Sequence, residues 1–337
     1  MRICIIGAGA IGSVVAGILA REGYNISLVV KHADLAEKIN RKGIELKGSC
    51  GEFTQALPSL ATPEELQGKF EYVLIATKAD GLVDAATRIL PFLYENSRVV
   101  SMQNGICEEM LASVVGKERS IGCVVGFGAT MLAPGEVEMT STGEFILGNW
   151  QGGPDEALNK LGEILSHVVG TRISAEIFPE LYSKLIINAC ITTLGAVCGL
   201  YLGEMLAKRH TRNLFIEIIR EAMEVANAMG IKVPPGASGK LDYYKFLAPG
   251  PLSELKRHLT IRVIGMKYSK LKSSSLQSLE RGRKTEAENY NGYISAKGKE
   301  FSVPAPVNEQ LTCMVSEIEE GKRKITPVNF MEIKSGA

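Results

Sequence analysis

No C-x-x-C pair occurs in these 337 residues, and the seven cysteines (Cys4, Cys50, Cys107, Cys123, Cys190, Cys198, Cys313) are odd in number and scattered. The four histidines are isolated. These absences argue against a zinc or other metal site and against a disulfide framework, and they fit a reducing, cytoplasmic setting. An excess of one charge is missing too. With 38 Lys and Arg against 37 Asp and Glu, the net charge of +1 offers no broad basic field for nucleic acid or an anionic membrane. Internal repeats and low-complexity tracts are also absent. The nearest approach to a membrane span is Leu185–Gly203, which has no charged residue. It carries Asn188, Thr192, Thr193 and three glycines and lacks aromatic belts on both sides, so it reads as a buried helix of a helical domain.

What is present is ordinary for a soluble globular chain: 45% hydrophobic and 22% charged residues, at a length sufficient for two domains with proper cores. The most informative stretch comes first, MRICIIGAGAIG. Ile3, Cys4, Ile5 and Ile6 form an apolar run suited to a strand buried on both faces. Gly7-Ala8-Gly9-Ala10-Ile11-Gly12 then makes G-x-G-x-x-G, a helical pattern follows through Arg21, and a second strand spans Asn25–Val30. The first glycine allows a tight turn, the second lets backbone approach a pyrophosphate, and the third lets the helix pack on the strand. The diphosphate would sit at the positive end of the helix. Arg2, the apolar core and Ala16–Ala20 loosely imitate a signal peptide, but the glycines and Glu22 oppose that reading. The second strand ends Val29-Val30-Lys31-His32 with no acid before Asp34. A cation there suits a 2′-phosphate, so NADP is favoured over NAD, although a solvated lysine at a strand end is common.

Further along, a helix is expected over Ala33–Lys42 and short strands at Ile44–Leu46 and Phe53–Ala56. A buried strand, Phe70–Ala76, leads into Thr77-Lys78. A helix over Gly81–Leu90 and a strand Arg98–Met102 lead into Gln103-Asn104-Gly105. Residues at the carboxyl ends of such strands face a ligand crevice, so Lys78 and Asn104 are candidate cofactor contacts. A surface lysine and an Asn-Gly turn are the plainer readings of the two. Strands at Ile121–Val125, Val137–Met139 and Glu144–Leu147 carry the alternation to about Arg172. Composition then turns helical: Pro179–Ala189, Thr211–Met229, Pro251–Ser269, Lys284–Gly298 and Val307–Glu320. The expected plan is a nucleotide-binding domain over residues 1–172, a helical substrate domain over 173–326 with a cleft between them, and an uncommitted tail over 327–337.

Hydride transfer to a carbonyl leaves charge on oxygen that some group must neutralise. Lys184 and Asn188 lie at i, i+4 on one face of an apolar helix. Alone, Lys184 reads more simply as the solvated end of a buried helix. The run Glu180-Leu181-Tyr182-Ser183-Lys184-Leu185 through Asn188 and the run Arg281-Gly282-Arg283-Lys284-Thr285-Glu286 through Asn291-Gly292 change that balance. With Lys78-Ala79, Asn104-Gly105 and Pro134-Gly135-Glu136-Val137, they make the chain resemble the ketopantoate reductase (2-dehydropantoate 2-reductase) family over nearly its whole length.

The resemblance implies an α/β Rossmann-type N-terminal domain and an all-α C-terminal domain like that of 6-phosphogluconate dehydrogenase. It further implies NADPH-dependent reduction of ketopantoate, a small 2-oxo acid, to pantoate on the route to pantothenate and coenzyme A. Lys184 takes the place of the family's proton donor, and Glu286 that of the acid touching cofactor and substrate. Asn188 and Ser274 take the places of substrate-binding residues, and Asn104 of a contact to both ligands. Gly7 to Gly12, Lys31 and Lys78 would hold NADPH. The chain departs from the pattern where Thr192 and Leu202 replace asparagines and where Ser278 replaces an acid. A less polar pocket follows, so a paralogue acting on another 2-oxo acid, an opine-type imine reductase and a non-catalytic NADPH sensor are the alternatives. The helical domain could carry a homodimer interface, but no heptad marks one.

Overall fold

The structure, a computed structural model, describes residues 1–334, with the backbone alone at 237 and 238. It divides into two compact units, the first Met1–Leu181 and the second from Tyr182 onward.

In the first unit an eight-stranded sheet is built on β1 (Arg2–Ile6) and β2 (Asn25–Val29). Strands β3 (Ile44–Gly48) and β4 (Phe53–Gln55) belong to a second sheet, and β5 (Ser59–Leu60), β6 (Phe70–Ile75), β7 (Leu93–Ser101) and β8 (Ser120–Val125) to the first. A hairpin of β9 (Gly128–Ala133) and β10 (Glu136–Ser141) follows, then β11 (Glu144–Asn149) and β12 (Gly170–Ile173). The large sheet runs β12-β11-β8-β7-β6-β1-β2-β5, and β5 through β8 are parallel. That is the doubly-wound order, with the strand sequence reversing between β1 and β6. The opening run is apolar throughout because its alternate residues enter different cores: Ile3 and Ile5 face one, Cys4 and Ile6 the other.

Helix α1 (Ala10–Arg21) lies in the first of these cores, and its other side meets the small sheet, β4-β3-β10-β9. Contact is close: a Cβ on Gly17 would stand 2.4 Å from Leu46. Helix α2 (Ala33–Lys42) follows β2, while α3 (Leu82–Ile89) and α4 (Glu108–Val115) fill the second core. Helix α5 (Glu156–Leu165) begins on Asp155, whose carboxylate accepts from Leu158 N–H (2.7 Å), Arg98 Nη2 (2.8 Å) and Asn149 Nδ2 (3.1 Å). Burial pushes this carboxyl up, but those three donors outweigh it and hold it below the ordinary aspartate value. A folded-state value below the unfolded one stabilises above the unfolded pKa of about 3.9 and is lost as pH falls through the folded value. Asp155→Ala is therefore expected to lower stability at pH 7 by about 1 kcal/mol, the worth of a helix cap. In urea titrations the gap to wild type should close below about pH 4. A gap that is constant from pH 7 to pH 3 would contradict this reading.

The boundary between units falls inside α6 (Ile177–Asn188), where composition had placed it at 172/173. The first turns of α6 pack on the first unit: Ile177 lies against Gly122 and Gly148, Phe178 meets Trp150, and Glu180 pairs with Arg172. After α6 come a π-helical turn, Ala189–Thr193, and α7 (Leu194–Cys198). Together Ile177–Cys198 is long and apolar enough to cross a membrane, and 78% of its most apolar window is buried in the fold. The uncharged stretch expected to continue to Gly203 as one helix instead stops at Gly199, which adopts φ +72°. Helices α8 (Leu202–Ala207), α9 (Arg209–Ala228), α10 (Gly236–Gly239), α11 (Tyr243–Leu247), α12 (Ser253–Lys267), α13 (Ser274–Glu280), α14 (Asn291–Glu300) and α15 (Pro306–Glu319) complete the unit.

Two expectations change. The helix expected over Lys284–Gly298 begins only at Asn291, because Gly282 at φ +64° and a short turn at Ala287–Asn289 interrupt it. The tail expected to be uncommitted is ordered in part: Pro327–Glu332 forms a 3-10 turn that buries Asn329 and Phe330, with Asn329 Nδ2 donating to Val197 O (3.0 Å). Its last residues, 335–337, lie outside the described residues.

Candidate functional site

Four neighbouring strands of the first unit end level, since Ile6 pairs with Val29 and Ile75, and Ile75 with Ser101. The first unit's candidates lie just past those ends. Gly7 adopts φ +109°, and a Cβ there would stand 2.9 Å from the backbone of Ala76. At Gly12 a Cβ would stand 2.0 Å from the Gly7 carbonyl oxygen. Gly9 differs, being exposed with nothing nearer to its Cβ position than 3.8 Å. It begins α1 with no side-chain cap and no acid in the first turn. The first N–H groups of any helix lack internal partners. An uncapped, acid-free start above open space suits a diphosphate. Ala8, Ala10 and Ile11 are half-buried around it.

Lys31 is exposed past the end of β2 and has no ion-pair partner among the described residues. Lys78 is exposed and begins the turn Ala79–Gly81. Asn104 is half-buried beside Gly105, which adopts φ +90°. Sequence reasoning passed over Gln103, which is buried and ties two strand ends together: its Nε2 donates to Ile75 O (3.0 Å) and Thr77 O (3.2 Å), and its Oε1 accepts from Ser101 (2.8 Å). No cluster of three His, Cys, Asp or Glu able to hold a metal occurs among the described residues.

In the second unit, α6 buries its surface except for one stripe, where Lys184, Ile187, Asn188 and, in the π-helical turn, Ile191 are half-buried. Two buried tyrosine hydroxyls fix the helix beside Lys184: Tyr182 donates to Ala222 O (2.8 Å) and Tyr243 to Ser183 O (2.7 Å). One turn further on, Asn188 Nδ2 is buried without a hydrogen-bond partner. Thr192 Oγ1 donates to Asn188 O (2.7 Å), and Thr193 Oγ1 is buried with no partner. Buried polar atoms are rarely left unsatisfied, and single π-helical turns recur at functional sites.

This turn packs against α13, α15 and the short turn after Glu286. Ser274, the first residue of α13, is exposed, whereas its neighbour Ser273 is buried and caps the helix by accepting from Leu276 N–H (3.1 Å). Glu286 is half-buried, and the hydroxyl of buried Tyr290 donates to its Oε2 (2.9 Å). Tyr290 was missed in the sequence, although it lies inside the run that contains Glu286. The structure thus gathers Asn188 and Thr192 with the segments bearing Ser274 and Glu286. Leu202 is buried and Ser278 half-buried.

A doubly-wound sheet with a glycine turn at its switch point, followed in the chain by an all-α unit, is the build of an NAD(P)-binding oxidoreductase. Residues 3–152 match the family model "Ketopantoate reductase PanE/ApbA", and residues 176–319 match its C-terminal companion. The chain belongs to the ketopantoate reductase family. It is 28% identical over 329 residues to a 2-dehydropantoate 2-reductase of Pyrococcus abyssi, covering 96% of this chain and all of that one. A crystal structure of a PanE/ApbA family ketopantoate reductase from Ralstonia eutropha superposes with a TM-score of 0.81 at 26% identity, covering 96% of this chain and 100% of the other. A D-mandelate dehydrogenase bound to NADH and anilino(oxo)acetate shares the fold, with a TM-score of 0.82 at 23% identity over 96% and 99% of the two chains.

Proposed function

We propose that this chain is a cytoplasmic, NADPH-dependent reductase that converts 2-dehydropantoate (ketopantoate) to pantoate, supplying the pantothenate branch of coenzyme A synthesis. The observation that carries the reading is the unpartnered, buried amide of Asn188, one turn beyond Lys184 on the accessible stripe of α6. An amide left unsatisfied in the protein alone is satisfied when a substrate oxygen arrives.

The glycine turn fits a dinucleotide, because Gly7 and Gly12 admit no side chain while the space over Gly9 is open. Lys31 would meet a 2′-phosphate, and Lys78 and Asn104 the rest of the cofactor. Bound there, the reduced nicotinamide supplies the hydride. Lys184 holds a proton on Nζ for the carbonyl oxygen and neutralises the charge that builds there. Glu286, steadied by Tyr290, positions the lysine and accepts from a substrate hydroxyl. The exposed Ser274 hydroxyl donates to the substrate carboxylate.

A second reading, reduction of a less hydroxylated 2-oxo acid, is favoured by two observations. Leu202 is buried, and the single donor of Thr192 is committed to Asn188 O, so neither offers what an amide would. The fold does not choose between these substrates. Asn188→Ala is the test of the site. KM for ketopantoate is expected to rise about 10- to 100-fold, the worth of one or two hydrogen bonds to a charged substrate, with NADPH affinity unchanged. An unchanged KM would remove Asn188 from the site.

A further inference from the structure

Helix α12 packs on α8, α9 and α11 through a side that includes buried Ile261 and Gly265. Its outward side carries Leu252, Leu255, Leu259, Val263 and Met266, exposed by 68%, 63%, 60%, 54% and 70%. In sequence the helix is apolar on several sides, so this stripe emerges only once the packed side is known. At 100° per residue the five side chains share one narrow face. They present on the order of 500 Å² of apolar surface, as much as the largest patch on a typical monomer, and such patches mark interaction sites.

The spacing along the stripe reads the same in both directions about Leu259, in steps of three, four, four and three. A face with that symmetry is its own complement under a two-fold rotation. We infer that α12 is the interface through which two copies of this chain pair, antiparallel, about an axis at Leu259. Leu259 then meets Leu259 of the partner subunit, Leu255 meets Val263 of the partner subunit, and Leu252 meets Met266 of the partner subunit. A cavity of about 610 Å³ opens beside Leu252 and Leu255, with Arg212 and His258 in its wall, and it faces Met266 of the partner subunit.

Covering the stripe on both copies buries on the order of 1,000 Å², before the stems of Lys256, Arg262 and Lys267 are counted, which is where specific interfaces begin. The charges conform in part. Arg262 borders the stripe on one side and comes within two residues' rise, about 3 Å, of Glu254 of the partner subunit. On the other side Lys256 and Lys267 meet only the partner's lysines. Screening this repulsion means that added salt tightens the pair, whereas a basic helix held on anionic lipid is released by salt.

The test is sedimentation equilibrium of the full chain between 50 and 500 mM salt, repeated on Leu259→Asp. The expected result is a dimer that tightens with salt, and a dissociation constant at least a hundredfold weaker in the variant, with per-chain thermal stability kept. A second variant pins the axis. On a Cys313→Ser background, which removes the exposed native thiol, oxidised Leu259→Cys should give a covalent dimer. Leu255→Cys should not, because it lies about 12 Å along the helix from its own copy, beyond disulfide reach. A wild-type monomer at 100 µM, a dimer indifferent to Leu259→Asp, equal cross-linking at 255 and 259, or capture of a monomer by anionic vesicles would each overturn the inference.

Discussion

Lys184→Ala is expected to lower kcat for ketopantoate reduction by about 10²- to 10⁴-fold, the usual worth of a general acid, while the Kd for NADPH stays within twofold of wild type. The separation is the point of the experiment. Lys184 lies in the helical unit, on a helix anchored by the Tyr182 and Tyr243 hydroxyls. Truncating its half-buried side chain removes a proton and a positive charge without disturbing those anchors. Lys184→Arg should rescue poorly. A guanidinium keeps the charge that stabilises the alkoxide, but its pKa above 12 makes it a weak proton donor, and its planar fork needs space an ammonium does not. A kcat within tenfold of wild type in Lys184→Ala would remove proton donation by this residue from the mechanism.

Gly12→Ala is expected to act at the opposite end of the chemistry. Its Cβ would stand 2.0 Å from the Gly7 carbonyl oxygen, a backbone atom that cannot rotate aside, and 3.0 Å from Ala76 Cβ. Relief requires α1 to move away from β1, which distorts the turn meant to hold the diphosphate. NADPH affinity should fall at least a hundredfold, and stability by about 2–4 kcal/mol, the range for forced overpacking with backbone displacement. Gly9→Ala is the informative control, because its Cβ has nothing nearer than 3.8 Å. It should keep wild-type thermal stability and weaken NADPH binding alone, since only the ligand occupies that space. Equal losses of stability in the two variants would contradict the separate requirements assigned to the two glycines.

Much of this organisation is legible in the sequence, for physical reasons. The strand–turn–helix at the start declares itself because a doubly buried strand must be wholly apolar and because the close approaches at Gly7 and Gly12 admit no side chain. The Lys184–Asn188 face follows from helical spacing. What is not legible depends on contacts far apart in the chain. Strand β3 pairs with β10 at Leu46 and Val137, and no local pattern announces that register. The π-helical turn after Asn188 and the tie from Tyr290 to Glu286 are products of packing. The helix expected from Lys284 fails because the Thr285 N–H is taken by Glu319 Oε1 (2.7 Å), a partner on another helix. The apolar face of α12 is hidden for a related reason: Ile261 and Val263 read alike in the sequence, and only the fold buries the first and exposes the second.

The central claim is that the Lys184–Asn188 face reduces a 2-oxo acid, with ketopantoate as substrate and NADPH as the reductant chosen by Lys31. Initial rates of cofactor oxidation, with NADPH and with NADH, across a panel of 2-oxo acids headed by ketopantoate test it most directly. The account predicts the highest kcat/KM for ketopantoate with NADPH, with Thr192 and Leu202 tolerated in the pocket. A poor value for ketopantoate beside a good one for a more apolar 2-oxo acid, or a preference for NADH, would contradict it.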